Sequence, residues 1–142
     1  MSGTAAEANK AVARDFLRMF ELGDSSIADE IVALDYRNHD APDAAVGREG
    51  LKAFLNVFRN AMPDAQVELA YQVIEGDRVV SRYTWSGTHQ GEIFGVPATG
   101  KRVSWTQTTT FRISDGQIRE AWSNWDQWGL MQQLGVVPKP GA

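Results

Sequence analysis

The sequence predicts an α+β domain in which a curled, mostly antiparallel sheet wraps on N-terminal helices. Three observations predict it. Apolar residues recur at helical spacing as far as Met62, they alternate at a period of two from Val67 onward, and the alternating runs are joined by the tight turns Glu75-Gly76-Asp77 and Ser114-Asp115-Gly116. Hairpins need no crossover helix, so helices followed by hairpins give an α+β rather than an α/β order. A twisted sheet curled on helices encloses a conical cavity.

The elements follow in order. Thr4-Ala5-Ala6-Glu7 matches a capping box, and Val12, Phe16, Met19 and Phe20 follow on one helical face, which predicts a helix from about Ala5 to Leu22 ended by Gly23. Ser25 or Ser26 starts a second, short helix with Ile27, Ile31 and Leu34 on one face. Asp35 to Asp40 is too polar for a helix and runs into Ala41-Pro42, so it reads as a short extended piece entering a loop. Gly47-Arg48-Glu49-Gly50 opens a third helix with Leu51, Phe54, Leu55, Phe58 and Met62 on its apolar face, and Pro63 stops it.

The first hairpin places Val67, Leu69, Tyr71 and Val73 on one face of its leading strand. The returning strand carries Val79, Ser81, Tyr83, Trp85, Gly87 and His89 together. Gly91 to Lys101 is a loop whose tip, Phe94-Gly95-Val96-Pro97, is apolar, a composition suited to a pocket mouth or a subunit contact. In the second hairpin Val103, Trp105, Thr109, Phe111 and Ile113 share one face, with Gln107 in step with Trp105. After the turn, Ile118, Glu120, Trp122, Asn124 and Asp126 share another, and a helix from about Gln127 to Leu134 follows.

Composition narrows the function. At 142 residues there is chain for one sizeable core, and 43% hydrophobic against 23% charged residues is a globular balance rather than a disordered one. A net charge of −4 with no basic run gives phosphate-backbone binding little support, so no nucleic-acid partner is expected. The absence of cysteine removes disulfides, thiolate nucleophiles and Cys-ligated zinc, and two histidines without HxH or HExxH spacing make a poor metal set. No apolar run approaches the ~20 residues of a membrane span, and Met1 to Lys10 lacks the pattern of a secretory signal, so the expected location is cytoplasmic with no membrane partner.

Five tryptophans are many for a chain of this length, and four lie between Trp105 and Trp128. A carboxylate desolvated among indoles has its pKa raised toward neutrality, where acid/base work is most effective. Asp126, beside Trp122 in the alternation, is therefore a candidate, although Asp at a strand-to-helix junction is also a good N-cap. His39 is a second candidate, since imidazole is a common acid/base group, and it can equally hydrogen-bond loop backbone. Asp40 reads as a solvated turn residue, and His89 as a structural hydrogen-bonding group at a strand end. Tyr83 and Gln107 are candidate donors to a developing enolate oxygen. Which face of the sheet is concave is not in the sequence.

Taken together, Asn38-His39-Asp40, Gly47-Arg48-Glu49-Gly50-Leu51, Gly76-Asp77-Arg78-Val79-Val80, Gly87-Thr88-His89, the Gly91 to Gly100 loop, Asp115-Gly116-Gln117-Ile118 and Trp122…Asp126-Gln127 form an ordered set. The set resembles the SnoaL-like polyketide cyclase family, within the nuclear transport factor 2-like superfamily, over about Ala8 to Gly135. The resemblance implies a single cone-shaped α+β barrel domain and a ring-forming, isomerase- or lyase-like enzyme of antibiotic biosynthesis. It implies no cofactor: an aldol-type carbon–carbon bond closes a polyketide-derived ring, with Asp126 taking and returning a proton and His39 assisting. Expected partners are an apolar polyketide-type small molecule and a second copy of the chain, since sheets of this superfamily often pair.

The candidate substrate-binding residues are Trp122, Trp105, Trp85, Tyr83, Gln107, Phe94, Phe58 and Asn124. Many relatives carry His-Trp-Asp where this chain has Ala121-Trp122-Ser123, and an acidic residue near the place of Thr109. A cavity so poor in acids and so rich in indoles suits a second reading, a cyclase that shapes an apolar polyene for cycloaddition. A third is a non-catalytic binder of an apolar small molecule. An epoxide-opening hydrolase of the same fold needs a second carboxylate or an Arg beside Asp126, which only Glu120 or Arg112 can supply.

Overall fold

The computed structural model of the chain describes residues 3–41 and 46–137. Its elements are helix α1 (Gly3–Leu22), helix α2 (Ile27–Ile31), strand β1 (Val32–Asn38), helix α3 (Gly47–Ala61), strands β2 (Gln66–Glu75), β3 (Arg78–Thr88), β4 (Arg102–Ser114) and β5 (Gln117–Trp125), and helix α4 (Gln127–Leu134). The strands form one five-stranded sheet in the order β1-β5-β4-β3-β2, antiparallel except for the parallel pair β1–β5. The sheet is open, with β1 and β2 at its edges, and α1 and α3 cover its concave face. No helix among the described residues is long and apolar enough to cross a membrane.

The helices meet the sheet through aromatic rings. Phe16 of α1 lies 5.0 Å from Phe111, and Phe58 of α3 lies 5.1 Å from Trp85 and 6.4 Å from Trp105. Edge-on and tilted pairs of this kind add about 0.5–1.5 kcal/mol each beyond their buried area. The inward face of β3 is an unbroken alternation of buried residues, and that of β4 is interrupted only at the half-buried Gln107.

Two helical expectations are corrected. The first helix begins at Gly3, two residues before Ala5. The second ends at Ile31, because Val32 takes extended backbone (φ −118°, ψ 131°) and starts β1, so Leu34 is 73% exposed rather than packed beside Ile27 and Ile31. The extended piece expected from Asp35 is the latter half of β1. Pro42 of the expected loop lies outside the described residues.

Two bulges correct the strand faces. In β2, Leu69 pairs Tyr83 while Tyr71 pairs Arg82, so Ala70 is an extra residue that reverses the alternation. Val67 and Leu69 stay half-buried, but Tyr71 and Val73 turn outward and Gln72 turns in, where its amide donates to Ser81 Oγ. In β5, Ile113 pairs Ile118 and Arg112 pairs Glu120, so Arg119 is the extra residue. Ile118 faces inward, and beyond the bulge Ala121, Ser123 and Trp125 do so, leaving Glu120, Trp122 and Asn124 on the outer face.

Candidate active site

Between the concave face and the two helices lies a cavity of about 150 Å³. Phe16, Leu17 and Phe20 of α1 and Leu51, Phe54 and Phe58 of α3 form its helical wall. Tyr83, Trp85, Trp105 and Trp125 form much of its sheet wall. Ile93 and Phe94 lie at one side of the mouth, Asp40 and Ala41 at another.

The loop carrying Phe94 is held in place by its backbone. The amides of Gln90 and Gly91 donate to the Ala61 carbonyl at 2.7 and 3.1 Å, and a Cβ on Gly91 would stand 2.6 Å from the Asn60 carbonyl oxygen, so only glycine fits. Ile93 and Val96 then exchange backbone hydrogen bonds across Phe94 (φ 52°) and Gly95 (φ 77°), a two-residue turn with both central residues left-handed. The Phe94 ring stacks on Trp125 with centroids 5.2 Å apart.

Beside the tryptophans, the sheet wall of the cavity carries a cluster of polar side chains. The Tyr83 hydroxyl lies 2.7 Å from Thr109 Oγ1, which lies 3.1 Å from Ser123 Oγ. Asn38 Nδ2 donates to Ser123 Oγ at 3.2 Å, and Gln107 Nε2 donates to Thr109 Oγ1 at 3.5 Å. The Trp105 indole N–H donates to Gln107 Oε1 at 3.3 Å, which fixes the orientation of that amide. Burial pushes the Tyr83 phenol well above its ordinary range, so Tyr83 is a neutral donor here and not a phenolate.

Asp40 joins this cluster through backbone. Its Oδ2 accepts the Ser123 amide at 2.8 Å and its own amide donates to Asn38 Oδ1 at 2.9 Å, while the His39 amide donates to the Ala121 carbonyl. This continues the β1–β5 ladder by one residue, and strand alternation then sorts Asn38-His39-Asp40. Asn38 and Asp40 turn to the cavity, and His39 turns to the outer face.

The sequence candidates are placed accordingly. Trp105, Trp85, Tyr83, Gln107, Phe94 and Phe58 all line the cavity. Trp122 and Asn124 do not, because the Arg119 bulge turns them outward. There the Trp122 indole stacks on His39 at 4.8 Å, with the Arg78 guanidinium 4.9 Å from its ring centre.

His39 is likewise an outer-face residue. Its Nε2 lies 3.1 Å from Glu120, whose other carboxylate oxygen accepts from Arg112 Nε at 2.5 Å. The Arg112 contact first and His39 second hold the Glu120 carboxyl below its usual range. Asp126 is exposed and caps α4: its carboxylate accepts the Gly129 amide at 2.9 Å, and it is not among the residues lining the cavity. Of its two possible roles, the capping one is what the geometry shows.

His89 is buried and structural, with Nδ1 accepting the Thr99 amide at 3.2 Å. The polar lining residues missed by sequence reasoning are Tyr36, Asn38, Asp40, Thr109 and Ser123. The signal available for two of them was the alternation inside Asn38-His39-Asp40. Among the described residues no cluster of His, Asp or Glu has the arrangement of a metal site.

Comparisons with known proteins agree with this architecture. The chain is 30% identical over 127 residues to aklanonic acid methyl ester cyclase DnrD of Streptomyces peucetius, covering 86% of this chain and 87% of that one. It is 30% identical to nogalonic acid methyl ester cyclase of Streptomyces nogalater, covering 82% of this chain and 89% of that protein. Among solved structures, TsrD from Streptomyces laurentii superposes with a TM-score of 0.86 at 32% identity, covering 92% of this chain and 97% of that one. The family model for SnoaL-like polyketide cyclase matches residues 10–134, a span that takes in all or part of every element from α1 to α4 and the whole of the cavity wall. The chain belongs to the SnoaL-like polyketide cyclase family.

Proposed function

We propose that the protein is a cofactor-free cyclase that closes a carbon–carbon ring in a polyketide-derived intermediate of natural-product biosynthesis, by aldol-type acid/base chemistry. The observation that carries this reading is the polarity of the cavity: aromatic walls on most sides, and a single cluster of hydroxyls, amides and one carboxylate. An apolar chain with a few carbonyls can bury its hydrocarbon against Trp85, Trp105, Trp125 and Phe58 and direct its oxygens to Tyr83, Thr109 and Ser123. Two tasks follow. The walls hold the reacting carbons together, which can remove up to ~7–11 kcal/mol of barrier in favourable cases. The cluster donates hydrogen bonds to the enolate oxygen as charge develops on it.

The named relatives act on methyl esters of aklanonic and nogalonic acid, and these are the first substrates to test. Each is incubated with the protein and with buffer, and loss of the ester against gain of an isomeric product is followed by chromatography with mass detection. Acceleration over buffer supports the cyclase; binding without turnover by any such ester supports a non-catalytic carrier. A second reading, cyclisation mainly by shaping the substrate, is favoured by one observation: the described residues that line the cavity include one carboxylate and no histidine. The reading also includes a cytoplasmic homodimer joined through the outer face of the sheet, where Thr106, Thr108 and Thr110 lie beside exposed Tyr71 and Val73. Sedimentation velocity tests the dimer.

A further inference from the structure

We infer that Asp40 is the general base of the cavity, and that the Tyr83–Thr109–Ser123 hydroxyls present it with one uncommitted O–H to bind the oxygen of the substrate it deprotonates. The inference rests on the cyclase reading for its reaction, but its chemistry can be tested apart from ring closure.

Asp40 is the one carboxylate among the described residues that line the cavity. It is held from two sides: Oδ2 accepts the Ser123 amide at 2.8 Å, and the Asp40 amide donates to Asn38 Oδ1 at 2.9 Å. Oδ1 meets no hydrogen-bond donor from the described residues. A carboxylate with one oxygen anchored and the other open has a fixed direction and a lone pair to spend, which is what removal of a proton from carbon requires. The carboxylate itself is anchored by a backbone amide, and the Asn38 side chain holds the backbone of Asp40.

The donor follows from counting protons. The three hydroxyls carry three protons, and the links Tyr83–Thr109 and Thr109–Ser123 use two. Asn38 Nδ2 and Gln107 Nε2 can only donate into the chain, so neither absorbs the third. Gln107 also occupies one lone pair of Thr109, which leaves Thr109 room for one more donor and prevents Tyr83 and Ser123 from both donating to it. The chain therefore runs one way or the other. With Tyr83 donating to Thr109 and Thr109 to Ser123, the free O–H is that of Ser123; reversed, it is that of Tyr83. Gln107 acts here as a positioning residue, held by Trp105.

In the reaction, Asp40 Oδ1 takes a proton from the carbon beside a substrate carbonyl, and the free O–H binds the resulting enolate oxygen. The enolate carbon forms the new bond to a second carbonyl carbon as that C=O π bond breaks. The alkoxide so formed takes the proton back from Asp40. Atoms balance, nothing is oxidised or reduced, and the carboxylate is regenerated.

The test uses the full chain and an aryl β-keto ester with no carbonyl beyond the two that flank its acidic carbon, so that ring closure is impossible. Solvent deuterium incorporation at the acidic carbon is followed by mass spectrometry for wild type, Asp40→Asn and Asp126→Asn, each first checked for an unchanged circular dichroism spectrum and thermal midpoint. Asn at position 40 still accepts the Ser123 amide but cannot take a proton. Expected are exchange above buffer for wild type, a loss of ~10²-fold or more in Asp40→Asn, and a change below about threefold in Asp126→Asn. Equal exchange in wild type and Asp40→Asn, loss in Asp126→Asn instead, or no exchange above buffer by wild type each overturn the assignment. Should Asp40→Asn misfold, Asp40→Glu replaces it: moving the carboxylate by one methylene must lower exchange at least tenfold, and unchanged exchange overturns the assignment. Exchange that depends on Asp40, with no ring closure on either natural ester, would leave the base in place and remove the cyclase reading.

Discussion

The Ser123 amide donates to Asp40 Oδ2 at 2.8 Å, which ties the loop leaving β1 to the strand that carries the polar wall of the cavity. Asn38 completes the tie from the other side, giving its amide N–H to Ser123 Oγ and its carbonyl oxygen to the Asp40 amide. Three residues from opposite ends of the chain are thereby held as one unit.

Asn38→Ala removes two of the three hydrogen bonds in that unit. Each is worth roughly 0.5–1.5 kcal/mol net, so a stability loss of about 1–3 kcal/mol is expected in urea unfolding. Turnover is expected to fall through kcat more than through KM, because the loss is of orientation at Asp40 and not of apolar contact. Steady-state kinetics on the methyl esters separates the two.

Thr109→Val keeps the shape of the side chain and deletes the middle hydroxyl of the relay. Tyr83, 3% exposed, then has no acceptor at 2.7 Å, and the Gln107 amide loses its target. Leaving buried donors unpaired costs about 1–3 kcal/mol, whereas Thr109→Ser restores most of it. Paired urea titrations of the two variants give the difference directly.

Glu120 governs part of the acid limb of stability. Its folded-state pKa lies below the unfolded value, through Arg112 first and His39 second, so its contribution is present above the unfolded value near 4.5 and is lost as pH falls through the folded one. Glu120→Gln should therefore lower Tm at pH 7, and its deficit relative to wild type should shrink steadily below pH about 4.5. Differential scanning calorimetry from pH 3 to 7 measures this. Cavity chemistry should be unaffected, since the cluster lies on the outer face.

Phe94→Ala removes the ring that stacks on Trp125 at the mouth while leaving its left-handed backbone. Losing an aromatic contact worth about 1–2 kcal/mol should raise KM roughly five- to thirtyfold with kcat little changed. The same variant should shift the Trp125 contribution to the fluorescence spectrum, which checks the contact without substrate.

The parts of this protein that are legible in its sequence are those where one period runs unbroken. Val79 to His89 and Val103 to Ile113 alternate without interruption, and both strands present the expected faces, including Tyr83, Trp85, Trp105 and Gln107 at the cavity. The bulges at Ala70 and Arg119 carry no such mark: neither residue is Gly, and neither breaks the apolar pattern in a way that shows where the period resets. Trp122 and Asn124 are therefore assigned to the wrong side by counting alone. The Asn38-His39-Asp40 run shows a different limit. Its alternation is plain, but which side is inward depends on a parallel pairing with β5, more than eighty residues away in the chain. Asp126 is a third case, in which cap and base share the same local signature and the structure shows the cap.

The single residue Arg119 acts as a reading-frame shift for the last strand. Upstream of it β5 is read in one phase, downstream in the other, so the side chains that β5 gives to the cavity wall depend on an extra residue that is not part of that wall. Deleting Arg119 would place Glu120 directly after Ile118 and keep Ala121, Ser123 and Trp125 inward, whereas pairing Arg119 regularly in the ladder would turn Ser123 and Trp125 out and Trp122 and Asn124 in. Whether one residue is paired or bulged thus decides which side chains β5 presents to the cavity, with the order of the strands unchanged.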